Sequence, residues 1–176
     1  MDKKMLRRVV KAKVLAMSVA DKERSSALMR AALRRCVDAC DACVVAMFSP
    51  LPDEPQIWPL VDELSKRKAV VLPRVEGDVM NFYHYASGML SRGAFGIMEP
   101  MLGEAIEPSE IDLIVVPGVA FTAEGYRMGR GKGYYDKYMS SDGFRAVKMG
   151  VCYPCQLLDG LPTEEHDVRV DKVIYK

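Results

Sequence analysis

The sequence predicts an α/β fold built on a largely parallel sheet, and three observations support this prediction. Short apolar runs of strand length alternate along the chain with segments of helical periodicity. Prolines and glycines separate these runs, so each is expected to be an element of its own. Hydrophobic residues make up 49% of the chain, which is enough for a buried core. Strands that alternate with helices are typical of parallel sheets.

Two helices are predicted before the first strand. The first covers residues 2–17, with basic side chains on one face: Lys3, Lys4, Arg7, Arg8 and Lys11. The opposite face is apolar and consists of Met5, Leu6, Val9, Val10, Ala12, Ala16 and Met17. Ser18 is a favourable N-cap with Asp21 three residues later, so a second helix is expected from there to about Asp38.

The rest of the chain is predicted to contain six strands. In order, the elements are a strand over 43–48, a proline-rich loop over 49–55, a helix over 57–67, strands over 69–72, 79–85 and 111–116, a helix over 134–139, and strands over 147–151 and 172–175. Pro73 is expected to end the second strand, since proline cannot donate within a sheet. Residues 88–108 are expected to be irregular because glycines and prolines interrupt them.

The bulk composition limits the possible classes of function. The net charge is +1, from 25 basic and 24 acidic residues, which argues against a nucleic-acid partner. No apolar run reaches the ~20 residues of a membrane span, and no secretory signal is evident. Five cysteines without a small secreted framework favour reduced thiols and a cytoplasmic protein. We expect a single domain over 1–176, as a monomer or weak oligomer.

A glycine-rich basic loop is the most informative segment. Four glycines between positions 125 and 133 alternate with Arg127, Arg130 and Lys132, and two tyrosines and Asp136 follow. Glycines let backbone N–H groups approach an anion closely, and the cations supply charge. The strand over 111–116 leads into this loop, and α/β proteins hold phosphates at such strand ends. The segment therefore predicts a nucleotide or phosphate site.

Three familiar phosphate-binding patterns do not match this loop. A P-loop requires Ser or Thr after Gly-Lys, but Gly133 follows Lys132 here. The dinucleotide pattern spaces its glycines unevenly, whereas Gly129, Gly131 and Gly133 are two residues apart. The strand that follows a kinase glycine loop is absent. A tight turn that uses glycine only for its geometry is the simpler alternative, although clustered cations at a helix start favour a bound anion.

The loop resembles the signature of the 5-formyltetrahydrofolate cyclo-ligase family, whose members are also called methenyltetrahydrofolate synthetases. Other blocks of the chain agree with this family in order: Lys3, Leu6 and Arg7; Glu54; 72–74; Gln156; 161–167; and Asp171. Two positions depart from the family pattern. Thr122 replaces a usual aspartate, and Met128 replaces a usual leucine of similar volume. The loss of the aspartate makes any role of position 122 doubtful, and Glu124 is a candidate substitute.

The resemblance implies a three-layer, Rossmann-like sandwich with a largely parallel, mixed central sheet flanked by helices. It also implies an enzyme that uses ATP and Mg²⁺ to convert 5-formyltetrahydrofolate, a reduced folate, to 5,10-methenyltetrahydrofolate. ATP would phosphorylate the formyl oxygen and become ADP; N10 would then attack the activated carbon, and phosphate would leave with the oxygen. Positioning and charge neutralisation carry most of such a phosphoryl transfer.

The resemblance also implies roles for individual residues. ATP-binding residues would be Lys3, Lys4, Arg7, Arg127, Gly129, Arg130, Gly131, Lys132, Gly133, Tyr134 and Tyr135. Substrate-binding residues would be Ser49, Glu54 and Tyr134, and Mg²⁺ ligands would be Asp136 and Asp167. The residue types suit these roles, since carboxylates accept from amino-heterocycles and Mg²⁺ prefers oxygen. Lys3 and Arg7 are four residues apart on one helix face and can reach the same anion.

Simpler interpretations remain open for several of these residues. Lys3 and Arg7 suit a solvated basic face, Glu54 and Asp167 suit surface acids, and Asp136 suits a helix cap. Aromatic residues that could stack on the pterin are more often core residues: Trp58, Phe82 and Tyr83.

Two other classes of function also remain open. A nucleotide-binding module without catalysis would retain the glycine loop. A metal or iron–sulfur protein would use the cysteines, which are Cys36, Cys40, Cys43, Cys152 and Cys155.

Overall fold

The computed structural model describes residues 2–93 and 96–176. Its helices are Lys3–Ala16 (α1), Val19–Ala39 (α2), Trp58–Ser65 (α3) and Tyr134–Met139 (α4). Its strands are Val44–Ala46 (β1), Ala69–Glu76 (β2), Val79–His84 (β3), Leu90–Arg92 (β4), Met98–Pro100 (β5), Leu113–Val116 (β6), Ala120–Phe121 (β7), Arg127–Met128 (β8), Val147–Cys152 (β9) and Lys172–Tyr175 (β10). Short 3₁₀ turns cover 108–110 and 154–156.

Six strands form the central sheet in the order β10-β9-β6-β1-β2-β3. Neighbouring strands are parallel except for β3, which runs antiparallel to β2 at one edge. The predicted α/β fold with a largely parallel, mixed sheet is confirmed. From β1 the chain builds β2 and β3 on one side, then returns to build β6, β9 and β10 on the other. The order therefore reverses between β1 and β6, where open α/β sheets form a crevice.

Alternate residues of the central strands pack into different layers. On β1, Val45 packs with α2 and α3, whereas the next residue, Ala46, packs with α4. On β6, Leu113 and Ile114 are divided between the same two layers. Because successive side chains of a strand point to opposite faces, a strand covered on both sides is apolar at every position. This explains why β6 is a continuous apolar run that is buried throughout.

Helix α1 places basic side chains on the face that packs against the protein. Its fully buried residues are Val10 and Val14, and Lys3 and Arg7 on the same side are partly buried. Met5, in the apolar arc predicted from the sequence, is exposed. The predicted separation of a basic and an apolar face therefore holds only in part: Val10 is buried, and Lys4, Arg8 and Lys11 are exposed, but Met5 is exposed and Lys3 and Arg7 face the protein. Its inner face contacts polar backbone at one end, and long cations suit that surface better than apolar residues do.

Strand β2 continues through Pro73, although the sequence predicted that it would end there. The neighbouring strand β1 pairs with residues 69–71 only, so Pro73 lies beyond the end of that ladder. On its other side Pro73 faces Phe82 of β3. The missing N–H therefore costs no hydrogen bond to β1, which is the usual condition for proline within a strand.

Two short hairpins were not predicted. Strands β4 and β5 pair within the segment 88–108 that was expected to be irregular, and β7 pairs with β8, which lies in the first half of the glycine loop. Residues 94 and 95 of that segment lie outside the described residues. Strands of two or three residues are too short for hydrophobic periodicity to show. Within the described residues, no helix has both the length and the apolar character needed to cross a bilayer.

Helix α2 offers a matched pair of leucines for testing the core. Leu33 is 0% exposed and packs with α3 and the sheet, whereas Leu28 on the same helix is 51% exposed. We expect Leu33→Ala to lower the free energy of unfolding by about 3 kcal/mol, because it removes buried contacts and leaves a cavity. Leu28→Ala should change it by less than about 0.5 kcal/mol. Urea unfolding measures both, and equal losses would contradict this packing.

Candidate active site

A cavity of about 1220 Å³ opens at the carboxyl ends of β1 and β6. Phe48 and Ser49, which follow β1, and Pro117 and Gly118, which follow β6, line its floor. Gln156 supports this floor, because its side-chain amide donates to the carbonyl oxygens of Gly118 and Val119 at 3.2 and 3.0 Å. The cavity therefore occupies the crevice where the strand order reverses, as doubly wound sheets predict.

All residues that the sequence assigned to the site line this single cavity. They are Lys3, Lys4, Arg7, Ser49, Glu54, Arg127, Gly129, Arg130, Gly131, Lys132, Gly133, Tyr134, Tyr135, Asp136 and Asp167. They come from the first helix, the loop after β1, the glycine loop, helix α4 and the loop before β10. The fold thus brings together residues from both ends of the chain, while the role of each remains a prediction.

Helix α1 is docked on the glycine loop. The Nε atom of Arg7 donates to the carbonyl oxygen of Gly129 at 2.8 Å. The Arg7 guanidinium also lies against Gly131, whose φ of +101° favours glycine. At the start of the loop, a side chain on Gly125 would place Cβ 2.2 Å from the Val170 carbonyl oxygen. Two of the glycines are therefore needed for backbone geometry and close packing as well as for any bound anion.

Arg127 supports the loop from inside. Its side chain is almost fully buried, and Nη2 donates to Oδ1 of Asp136 at 2.8 Å. Nη1 donates to the Pro117 carbonyl oxygen at 3.3 Å. The same Asp136 oxygen accepts from the Val168 backbone N–H at 3.1 Å, which ties α4 to the loop that carries Asp167. Arg127 is thus already committed to protein partners, although it lines the cavity.

Arg130 joins the glycine loop to the loop after β1. Its Nε and Nη2 atoms donate to Oε1 of Glu54 at 3.1 and 2.9 Å. Nη2 also donates to Oδ1 of Asp53 at 2.7 Å. Burial raises the pKa of the Glu54 carboxyl above its usual value even with Arg130 beside it. Sequence reasoning missed Asp53, since only the ion pair distinguishes it from an ordinary loop acid.

Lys3 connects the first helix to the loop before β10. Its ammonium lies 2.9 Å from Oδ2 of Asp167 and 3.3 Å from Oε1 of Glu164. Burial alone would lower the pKa of Lys3, but these two acids outweigh it and the pKa is raised. Burial likewise opposes ionisation of Asp167, yet the bond from Lys3 holds its pKa below the usual value. The interpretation of Lys3 as part of a purely solvated face is therefore wrong.

Potential ligands for a metal cation lie close together beside Lys3. A carboxylate oxygen of Glu164, a ring nitrogen of His166 and a carboxylate oxygen of Asp167 lie within 4.8 Å of one another. Among the described residues, these three form the group of side chains that could hold a metal ion. Asp136 lies on the same cavity and is tied to Val168, the residue after Asp167. Carboxylates at this position fit a hard divalent cation that retains several waters.

Another part of the cavity wall is apolar. It includes Phe48, Pro73, Val75, Met80 and Ile97. Polar groups here are few: Ser49 donates to the Met98 carbonyl oxygen at 2.5 Å, the Tyr134 hydroxyl donates to the Gly77 carbonyl oxygen at 3.1 Å, and Glu54 and Glu99 are buried. Sequence reasoning missed Glu99, because it lies in the segment that was expected to be irregular.

The aromatic candidates from the sequence are not among the residues that line the cavity. Phe82 is fully buried in the core, and Trp58 packs on Tyr85 with ring centroids 6.3 Å apart. Tyr83 is covered by the guanidinium of Arg74, 3.7 Å from the ring centroid. The ordinary interpretation of these rings as packing residues is therefore correct.

Neither the cysteines nor position 122 contributes to the cavity. Within the described residues, the potential metal-ligand group contains no cysteine. Burial raises the pKa of Cys152 to about 12, which makes it a poor thiolate ligand. Thr122 is buried and Glu124 is exposed, and neither is among the lining residues. Position 122, where threonine replaces the aspartate usual in the family, therefore lies outside the cavity wall.

The fold and the cavity define a doubly wound α/β protein with a cation-rich, glycine-lined site at the switch point of its sheet. The model of the 5-formyltetrahydrofolate cyclo-ligase family matches residues 1–176. The chain therefore belongs to this family, as the glycine loop and the accompanying blocks predicted.

Relatives from several organisms agree with this assignment. A 5-formyltetrahydrofolate cyclo-ligase from Mus musculus is 27% identical over 189 residues, covering 99% of this chain and 93% of the mouse protein. The solution structure of the 5,10-methenyltetrahydrofolate synthetase from Aquifex aeolicus is 38% identical with a TM-score of 0.89, covering 99% of this chain and 90% of that chain. The synthetase from Mycoplasma pneumoniae is 25% identical with a TM-score of 0.79, covering 99% and 98%.

The ion pair between Arg130 and Glu54 makes a stability prediction. We expect Arg130→Ala to lower the free energy of unfolding by roughly 2 kcal/mol at pH 7, because it leaves a buried carboxylate without its cation. A carboxyl with a raised folded-state pKa binds its proton more tightly in the folded protein, so the loss should shrink as the pH falls from 7 to 5. Urea unfolding at both pH values measures this.

The control is Arg24→Ala, which removes a surface arginine that is 71% exposed and paired with Asp21 at 3.2 Å. Exposed pairs contribute little, so its effect should stay below about 0.5 kcal/mol at either pH. A deficit of Arg130→Ala that grows at pH 5 would contradict the role assigned to this pair.

Proposed function

We propose that this protein catalyses the ATP-dependent closure of 5-formyltetrahydrofolate to 5,10-methenyltetrahydrofolate, with ADP and phosphate as the other products. One observation carries this proposal: a single cavity joins a cation-rich glycine loop to an apolar compartment with buried carboxylates. A phosphate donor and a flat, donor-rich heterocycle would require these two environments side by side. Membership of the cyclo-ligase family supports the same reaction.

The chemistry explains why a nucleotide is required. The formyl oxygen on N5 is an amide oxygen and a poor leaving group. Transfer of the γ-phosphoryl group converts it to a phosphate ester, with ADP released. The N10 nitrogen then attacks the formyl carbon and gives up its proton, the C–O bond breaks, and phosphate departs with that oxygen. The protein contributes mainly by aligning the two substrates and neutralising charge, as in other phosphoryl transfers.

The nucleotide end is suited to a polyphosphate. Lys3, Lys4, Arg7, Arg130 and Lys132 surround backbone held open by glycine. Several of these cations already have protein partners: Lys3 and Arg130 are bonded to carboxylates, and Arg7 is bonded to a backbone carbonyl. A bound polyphosphate would replace or share these contacts. Asp136 and Asp167 provide oxygen ligands for Mg²⁺, which would shield the phosphate oxygens.

The folate end is suited to the pterin ring. Apolar walls would cover its faces, and Ser49, Glu54 and Tyr134 supply polar contacts at the edges. Glu54 is an acceptor that can pair with an amino-pyrimidine edge, as acidic side chains do with nucleobases. All five cysteines are free, which is compatible with the reducing cytoplasm where we place the reaction.

The test supplies purified protein with 5-formyltetrahydrofolate, ATP and Mg²⁺ and follows the absorbance of the methenyl product. We expect product only when all three are present, with one ADP formed per methenyl group. Folded protein that binds ATP but gives no product would favour a nucleotide-binding module without catalysis. Product formation that is independent of ATP would exclude the proposed mechanism.

The glycine loop should serve the nucleotide more than the folate. We expect Lys132→Ala to raise KM for ATP about tenfold or more and to change KM for the folate by less than about threefold, because a charge-assisted phosphate contact is lost. Initial rates with each substrate varied in turn measure this. Lys66→Ala, an exposed lysine after α3, should leave both values unchanged. Equal increases in the two KM values would contradict the assignment of the loop.

A further inference from the structure

A second buried carboxylate lies in the apolar part of the cavity. Glu99, on strand β5, is 5% exposed and lines the cavity. Its Oε1 atom accepts from the Val75 backbone N–H at 3.1 Å, on the stretch of β2 that extends beyond β1. Gly93 leaves room for the carboxylate, since a Cβ there would lie 1.9 Å from Oε2. The neighbouring Met98 is held by Ser49, so the position of the hairpin is well defined.

Glu54 and Glu99 differ in how fully protein donors satisfy them. Both oxygens of Glu54 are used, Oε1 by Arg130 and Oε2 by the Leu51 backbone N–H at 2.9 Å. For Glu99, no donor within residues 2–93 and 96–176 is bonded to Oε2. Of these two buried carboxylates, Glu99 is therefore the one whose second oxygen has no donor among the described residues.

The cation beside Glu99 does not donate a hydrogen bond to its second oxygen. Arg74 adjoins it, but its guanidinium donates to Glu76 at 2.9 Å and to the Pro100 carbonyl oxygen at 3.3 Å, and it lies over the ring of Tyr83. Burial raises the pKa of Glu99, with the Val75 N–H and Arg74 only partly opposing it. In these largely apolar surroundings a hydrogen bond from a ligand N–H to Oε2 would be stronger than the same bond in water.

The surroundings of Glu99 indicate the chemistry of that ligand. Val75, Met80 and Ile97 form apolar walls near it, which would exclude water and cover a flat ring. An anionic ligand group would be repelled by the Glu99 carboxylate, whereas ring and amino N–H groups would be attracted. The reduced pterin has several such donors on one edge of a flat bicyclic ring.

We propose that Glu99 is a specificity-determining residue that accepts a hydrogen bond from the N–H edge of the pterin through Oε2. In this arrangement Glu99 is an acceptor for the pterin in addition to Glu54, whose Oε1 already holds Arg130. This inference rests on the proposed function, because it takes the reduced folate as the occupant of the apolar compartment.

The decisive variant is Glu99→Gln. Glutamine retains an oxygen that can accept from the Val75 N–H, but it replaces the second oxygen with an NH₂ donor that opposes the pterin edge. We expect KM for 5-formyltetrahydrofolate to rise about tenfold or more, with KM for ATP and the urea midpoint nearly unchanged. A purely structural role would lower the urea midpoint and affect both substrates alike. Glu104→Gln, an exposed residue after β5, is the matched control and should behave like wild type.

A second variant, Glu99→Asp, retains the charge but shortens the side chain, and it should also raise the folate KM selectively. It replaces Glu99→Gln in the test if that variant fails to fold. Wild-type folate KM in the folded variants, or equal increases in both KM values, would overturn the proposal. Absence of turnover by the wild type with 5-formyltetrahydrofolate would instead contradict the proposed function, so the two failures are distinguishable.

Discussion

The ion pair between Arg130 and the carboxylates of Asp53 and Glu54 is the interaction on which the site depends. Glu54 is buried, and a buried carboxylate is tolerated only with a cation or several hydrogen-bond donors nearby. Arg130 supplies that cation from a loop more than seventy residues away. This requirement holds the glycine loop against the loop after β1, and the two compartments of the cavity share a wall as a result.

Segments from near the two ends of the chain meet at the same cavity. Lys3 near the start is bonded to Asp167 near the end, and Arg7 is bonded to the glycine loop. Such contacts of high sequence separation cost loop-closure entropy, which must be recovered by burial and charge pairing. Helix α1 offsets this entropy cost by burying Val10 and Val14 and by bonding Lys3 and Arg7 to the cavity wall. Its position is therefore sensitive to whatever anion occupies the cavity.

Much of the fold and of the candidate site was predictable, and the failures have physical causes. The six main strands were predicted because doubly covered strands are apolar at every position. The continuation of β2 through Pro73 depends on where its neighbour β1 ends, which no local pattern contains. The hairpin that carries Glu99 is too short to show periodicity. Asp53 and Glu99 were missed because burial and an ion pair, rather than residue type, distinguish them from surface acids.

The sequence by itself determined the alternation of strands and helices, the glycine loop with its cations, and the family to which the chain belongs. These features are local, because they depend on residue type and spacing within short segments. Only the tertiary structure decided which charges face one another: Arg127 with Asp136, Arg130 with Glu54, and Lys3 with Asp167. Electrostatic and desolvation energies depend on distance and burial in space, and neither quantity can be read from separation along the chain.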